Sequence, residues 1–124
     1  RLESEFLLHS YGGPKEMISQ FAKLGAFFSF PGYFLKPGCE KKLDVFRHVP
    51  KDRLLVETDA PDQALPEPLE VVSLGVDDQG RRINHPANIR SVYEGLAAAL
   101  DVELDTLATQ VESNFRALFG ALIR

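Results

Sequence analysis

The stretch Leu54-Leu55-Val56-Glu57-Thr58-Asp59-Ala60-Pro61 constrains the fold more than any other part of the chain. Three aliphatic residues run straight into Glu-Thr-Asp, and a proline ends the extended segment. A short continuous apolar run bounded by a turn signal predicts a strand buried on both faces. Such strands belong to parallel sheets. Polar residues at the carboxyl end of such a strand lie where α/β folds keep their chemistry. Asp59 is then either a carboxylate aimed into a site or the residue that caps the turn before Pro61, since aspartate is favoured in turns.

The rest of the chain repeats the pattern. Glu5-Phe6-Leu7-Leu8-His9 is another short apolar run ending in a polar residue, broken by Ser10-Tyr11-Gly12-Gly13-Pro14. Pro14 suits the first position of a helix; Met17, Ile18, Phe21 and Leu24 follow at helical spacing, and Gly25 closes it. Ala26-Phe27-Phe28-Ser29-Phe30 reads as a second strand. Glu40 to His48 reads as a short helix with Leu43, Val45 and Phe46 inward, and Leu54 to Thr58 as the third strand. Ala60 to Pro86 is expected to be a long irregular loop with at most one small strand at Glu70–Leu74. Loops of that length are usually functional or disordered. Two amphipathic helices follow, one through Ile89, Val92, Tyr93, Leu96 and Leu100, the other through Leu104, Leu107, Val111, Phe115 and Leu118. The order β-α-β-α-β-loop-α-α predicts right-handed βαβ units and a three-stranded parallel sheet. With two open edges, it resembles a slice of a larger barrel or sheet.

Composition removes several function classes. The 124 residues are 44% hydrophobic with a net charge of -4, which allows one packed domain. No basic block exists to bind nucleic acid through bulk electrostatics; local cations or metal ions would have to hold such a substrate. The single cysteine, Cys39, excludes an internal disulfide and a Cys-rich zinc site. It suits a reducing compartment, so a cytoplasmic location is expected. A start at Arg1 rather than Met leads to the expectation of a piece of something longer.

His9 and Asp59 both end strands on the same edge, and imidazole and carboxylate are ordinary ligands of divalent metals. Two ligands do not complete a site, and a lone His after an apolar run is often structural. His48 near a helix end reads as structural or solvated. His85, in the long loop beside Asn84, either reaches a substrate or simply precedes a helix. Gly12-Gly13 at a helix start either holds a phosphate or is a turn. Arg81-Arg82 either contacts a phosphodiester or is solvated.

Five segments together resemble one known family. Leu7–Gly13 is similar to its strand ending in His-Ser/Cys-Phe-x-Gly, and Gly25–Gly32 to its glycine-aromatic-Ile-Ser strand. Val49–Pro61 resembles its Ile-Pro-x-x-Arg-Leu-Leu-x-Glu-Thr-Asp-Ala-Pro signature. Asn84–Ile89 resembles Asn-Glu-Pro-x-Asn-Ile/Val, and Ser113–Phe119 its closing Asn-x-x-x-Leu-Phe. The family is the TatD metal-dependent hydrolases, or TatD-type deoxyribonucleases, of the amidohydrolase superfamily. The resemblance implies an α/β fold that is part of a (β/α)₈ TIM barrel, its last three βα units, with residues 1–124 as one C-terminal fragment. It implies His9 and Asp59 as metal ligands, Asp59 also orienting or deprotonating the attacking water. The cofactor implied is a divalent metal (Mg, Mn or Zn), two ions in a complete barrel. Tyr11, Gly12, Asn84 and His85 are the expected substrate-binding residues.

The implied function is hydrolysis of DNA or another phosphoester, the chain supplying two ligands and being inactive alone. The alternatives are a hydrolase of another ester or amide and a non-catalytic interaction module. The family's His-x-His, bridging Glu and strand-five His are absent. His85 stands where the family has Glu, and Asp62 where it usually has an aromatic. The exposed sheet edges lead to the expectation of self-association.

Overall fold

The computed structural model describes residues 4–122. Its centre is a parallel sheet of three strands, β1 (Phe6–Leu8), β2 (Ala26–Pro31) and β3 (Leu54–Glu57), in that spatial order. In register, Phe6 lies beside Ala26 and Phe28 beside Leu54. Helices α1 (Ile18–Leu24) and α2 (Glu40–Phe46) are the two crossovers. Parallel strands need them because each strand ends at the opposite edge from the next one's start. The predicted alternation is therefore observed: the starts of β2, α2 and β3 fall where expected, whereas α1 begins four residues after Pro14, behind a 3-10 turn at Lys15–Met17. Gly25 ends α1 with a φ of 106°, and its N–H reaches the Ala22 and Phe21 carbonyls. Glycine adopts that left-handed backbone without steric cost.

All six residues of β2 are buried. Phe28 meets Tyr11 edge-on at 5.2 Å, and Phe30 meets Phe34 and Phe46 at 6.0 and 5.0 Å. Each ring contributes about 1.5–3 kcal/mol by leaving water. The opposite face of the sheet carries Phe27 and Ser29, with Leu7 and Leu55 beside them in register. Ser29 is the one polar residue of β2 and is 3% exposed. A hydroxyl so placed needs a partner, and its partner belongs to the site described below.

Helices α3 (Ile89–Leu100) and α4 (Leu104–Phe119) form as predicted. Gly32, just past β2, lets α3 approach. A Cβ there would lie 2.7 Å from Val92 Cγ2 and 2.3 Å from Leu65 Cδ2. No helix among the described residues is long and apolar enough to cross a membrane.

The Ala60–Pro86 segment differs from expectation. It holds an antiparallel hairpin, β4 (Ser73–Val76) and β5 (Arg82–Asn84), rather than one small strand at Glu70–Leu74. The turn explains it. Asp77 Oδ1 accepts the N–H groups of Gln79 and Arg81 at 2.8 and 2.9 Å, and Gly80 takes a φ of 76°. A turn of this kind with glycine in the left-handed position is a common hairpin closure. The two arginines considered for a phosphodiester are held within this region. Arg81 Nε donates to Asp77 Oδ2 at 2.8 Å, and Arg82 reaches the Leu65 carbonyl at 2.7 Å and Glu70 at 3.3 Å.

Candidate metal centre

Three parallel strands bring their carboxyl ends to one edge. His9 follows β1, Ser29 lies in β2, Glu57 ends β3, and Asp59 stands two residues further on. His9 Nδ1 donates to Glu57 Oε2 at 2.6 Å, and its Nε2 donates to Asp59 Oδ1 at 3.1 Å. One imidazole thus spans two carboxylates from a segment about fifty residues away. The side chains are 57%, 14% and 27% exposed for His9, Glu57 and Asp59. The cluster is open to solvent at the histidine and half-sheltered at the acids.

Glu57 is also held from the other strands. Ser10 Oγ donates to its Oε1 and Ser29 Oγ to its Oε2. Ser29 Oγ in turn accepts the Ser10 N–H at 3.2 Å. This satisfies the buried serine of β2 and ties all three strand ends together. Ser10 and Asp59 both take left-handed backbones, with φ of 48° and 60°. For a non-glycine residue that conformation costs about 1–3 kcal/mol and persists only where the surroundings hold it. Here the serine and carboxylate bonds do so.

The electrostatics follow from the geometry. Burial, the largest single influence on His9, lowers its pKa. The charges and hydrogen bonds of Glu57 and then Asp59 together outweigh it, so the pKa is raised above the ordinary histidine value.

One ligand atom from each of His9, Glu57 and Asp59 falls within 4.8 Å of the others. One imidazole nitrogen and carboxylate oxygens suit zinc, manganese or magnesium. Nε2 of His9 and Oδ1 of Asp59 face each other at 3.1 Å at the open end of the cluster, so the residues present fit a divalent ion. His9 and Asp59 are thus brought together as the sequence predicted. Glu57 was missed as a member of the cluster. A glutamate inside a buried strand requires a partner, and that was the available signal.

The other candidate residues are placed differently. Tyr11 is 8% exposed, packs on Phe28 and Phe21, and donates its hydroxyl to the Pro14 carbonyl at 2.7 Å. It is a core residue rather than an exposed substrate contact. Its ring also accounts for Gly13, where a Cβ would lie 2.7 Å from the phenol oxygen. Gly12 is exposed on the turn. Asn84 is 2% exposed, and its amide donates to the carbonyls of Thr58 and Asp62 at 2.7 and 3.0 Å. It braces the loop that leaves Asp59. His85 accepts the Ala87 N–H on Nδ1 at 2.9 Å and caps the turn entering α3. His48 is exposed at the end of α2, away from the cluster.

Comparison with known proteins bears on this site. The family described as TatD related DNase matches residues 1–120. An uncharacterized metal-dependent hydrolase, YcfH of Escherichia coli (strain K12), is 35% identical over 113 residues, 91% of this chain and 38% of YcfH. The 3'-5' ssDNA/RNA exonuclease TatD of Klebsiella pneumoniae (strain 342) is 29% identical over 116 residues, covering 92% of this chain and 41% of that one. The crystal structure of the TatD homologue YJJV from Escherichia coli K12 superposes with a TM-score of 0.74 at 26% identity. It covers 92% of this chain and 40% of YJJV. The chain thus spans about two-fifths of the length of the relatives it matches.

Proposed function

The chain belongs to the TatD related DNase family, and from that premise we propose that it supplies the last three βα units of a barrel hydrolase that cleaves phosphodiesters of DNA. The observation that carries this reading is the convergence of His9, Glu57 and Asp59 on one strand edge, with ligand atoms within 4.8 Å. Two facts support it. A span of 38–41% of the relatives is close to three units of eight. One relative is described as an ssDNA/RNA exonuclease.

His9 and Asp59 would hold the ion, which when bound supplies Lewis acidity toward water and phosphoryl oxygen. Asp59 is also the acceptor for a proton released from attacking water, since its carboxylate is the less buried of the partners of His9. The backbone on both sides of Asp59 is braced by Asn84, through the Thr58 and Asp62 carbonyls, which helps fix that carboxylate relative to His9. The remaining ligands belong to the first five units, so the chain alone is inactive.

Supplying those units tests the reading. Co-expressed with the first five βα units of a relative, the chain is expected to gain manganese-dependent cleavage of single-stranded DNA. Asp59→Ala in the same pair is expected to lose it by about 100-fold or more. Equal cleavage by both pairs would remove the assigned role of Asp59. A second reading, a non-catalytic interaction module, is favoured by the apolar residues left exposed near the sheet, Leu7 at 36% and Phe115 at 45%. Assembly with the five units without any gain of cleavage would favour it.

A further inference from the structure

We infer that Glu57 is a positioning residue for His9 and not a third ligand: it holds the imidazole proton on Nδ1 and so leaves Nε2 to face a metal beside Asp59. The inference rests on the metal-centre reading above and goes beyond it by assigning separate tasks to two carboxylates two residues apart.

Lone-pair accounting separates them. A carboxylate offers about four acceptor sites, two on each oxygen. Glu57 Oε2 accepts from both His9 Nδ1 and Ser29 Oγ, and Oε1 accepts from Ser10 Oγ. Three of the four are committed to fixed protein donors, and the side chain is only 14% exposed. Among the described residues, the Asp59 carboxylate accepts a hydrogen bond from His9 Nε2 alone. Replacing the Nε2 proton with a cation costs Asp59 nothing else. Glu57 Oε2, the oxygen that faces His9, has both of its sites filled, so a cation taken there would displace the bonds that join the strand ends; only one site on Oε1, the oxygen bonded to Ser10, stays open.

The distances agree with that division. The Nδ1–Oε2 contact of 2.6 Å is a short, charge-assisted bond, whereas Nε2–Oδ1 is 3.1 Å. The shorter bond places the proton of the neutral ring on Nδ1. A carboxylate behind a ligating histidine also raises the basicity of the nitrogen facing the metal. The serines keep Glu57 from rotating away, so Ser10 and Ser29 act on the metal through two intervening groups.

Nitrogen-15 NMR of the His9 ring in the 124-residue chain tests this with no activity readout. At a pH where His9 is neutral, its proton is expected on Nδ1, and zinc is expected to shift Nε2. Glu57→Gln is expected to keep zinc on Nε2 but to weaken binding by about 10–100-fold. Asp59→Asn, which removes a ligand, is expected to weaken it more. Glu57→Ala is expected to move the metal-free tautomer toward Nε2–H, and the dispersion of the core amides reports whether that variant folds. Ser29→Ala, a milder change, is expected to shift the tautomer in the same direction. A wild-type proton on Nε2, or a zinc-induced shift of Nδ1, would overturn the inference. A proton on Nδ1 with no response of His9 to zinc would support the pairing and overturn the metal-centre reading instead.

Discussion

Asn114 is polar, yet 2% exposed on α4. Its amide donates to the carbonyls of Leu54 and Lys51 at 2.8 and 2.7 Å, and its Oδ1 accepts from Gln110 at 2.9 Å. It thereby satisfies the start of β3 on the side away from β2. Buried carbonyls left without donors cost about 1–3 kcal/mol each. Asn114→Ala is therefore expected to lower stability by about 2–4 kcal/mol, read as a fall in the urea midpoint at unchanged slope. A change below about 0.5 kcal/mol would contradict the assignment. The same residue marks where sequence reading stops. His9 and Asp59 stood out because each follows an apolar run, a local pattern, but their role as ligands came only from the family resemblance. The tasks of Asn114 and Glu57 depend on partners 60, 48, 47 and 28 residues away, and no local pattern encodes such pairs.

At the scale of elements, β2 and the β4–β5 hairpin are opposites. Strand β2 is an unbroken apolar run apart from Ser29, so its burial could be read directly. Strand β4 is exposed at every residue and contains Gly75, so no alternation announced it. What holds the hairpin is Asp77. The Arg81 N–H is the largest influence lowering its pKa, helped by the Gln79 N–H and the Arg81 guanidinium and opposed by desolvation. A carboxylate with a lowered folded pKa stabilises the fold above its unfolded value of about 3.9, and that contribution is lost as pH falls through the folded value. The amide resonances of Gln79 and Arg81 are expected to titrate together below about pH 4, while those of Phe30 and Leu55 stay fixed. Hairpin amides that do not respond before global unfolding would show that Asp77 does not hold the turn.

At the scale of the whole molecule, the sheet is open. Among the described residues, β1 and β3 each pair on one side only. Leu7, Leu55, Tyr93, Val111 and Phe115 line an uncovered groove of about 470 Å³ that also holds His9 and Glu57. Open edges beside apolar surface favour pairing with another chain. Sedimentation velocity is expected to show concentration-dependent association of the isolated chain, and its loss when the first five units are supplied. A folded monomer at all concentrations would contradict this. The central claim, that this edge is part of a metal centre built on His9 and Asp59, is tested most directly by zinc titration calorimetry on the 124-residue chain. Weak uptake of one ion is expected, lost on His9→Ala and on Asp59→Ala but unchanged by His48→Ala; uptake unaffected by the first two substitutions would contradict the claim.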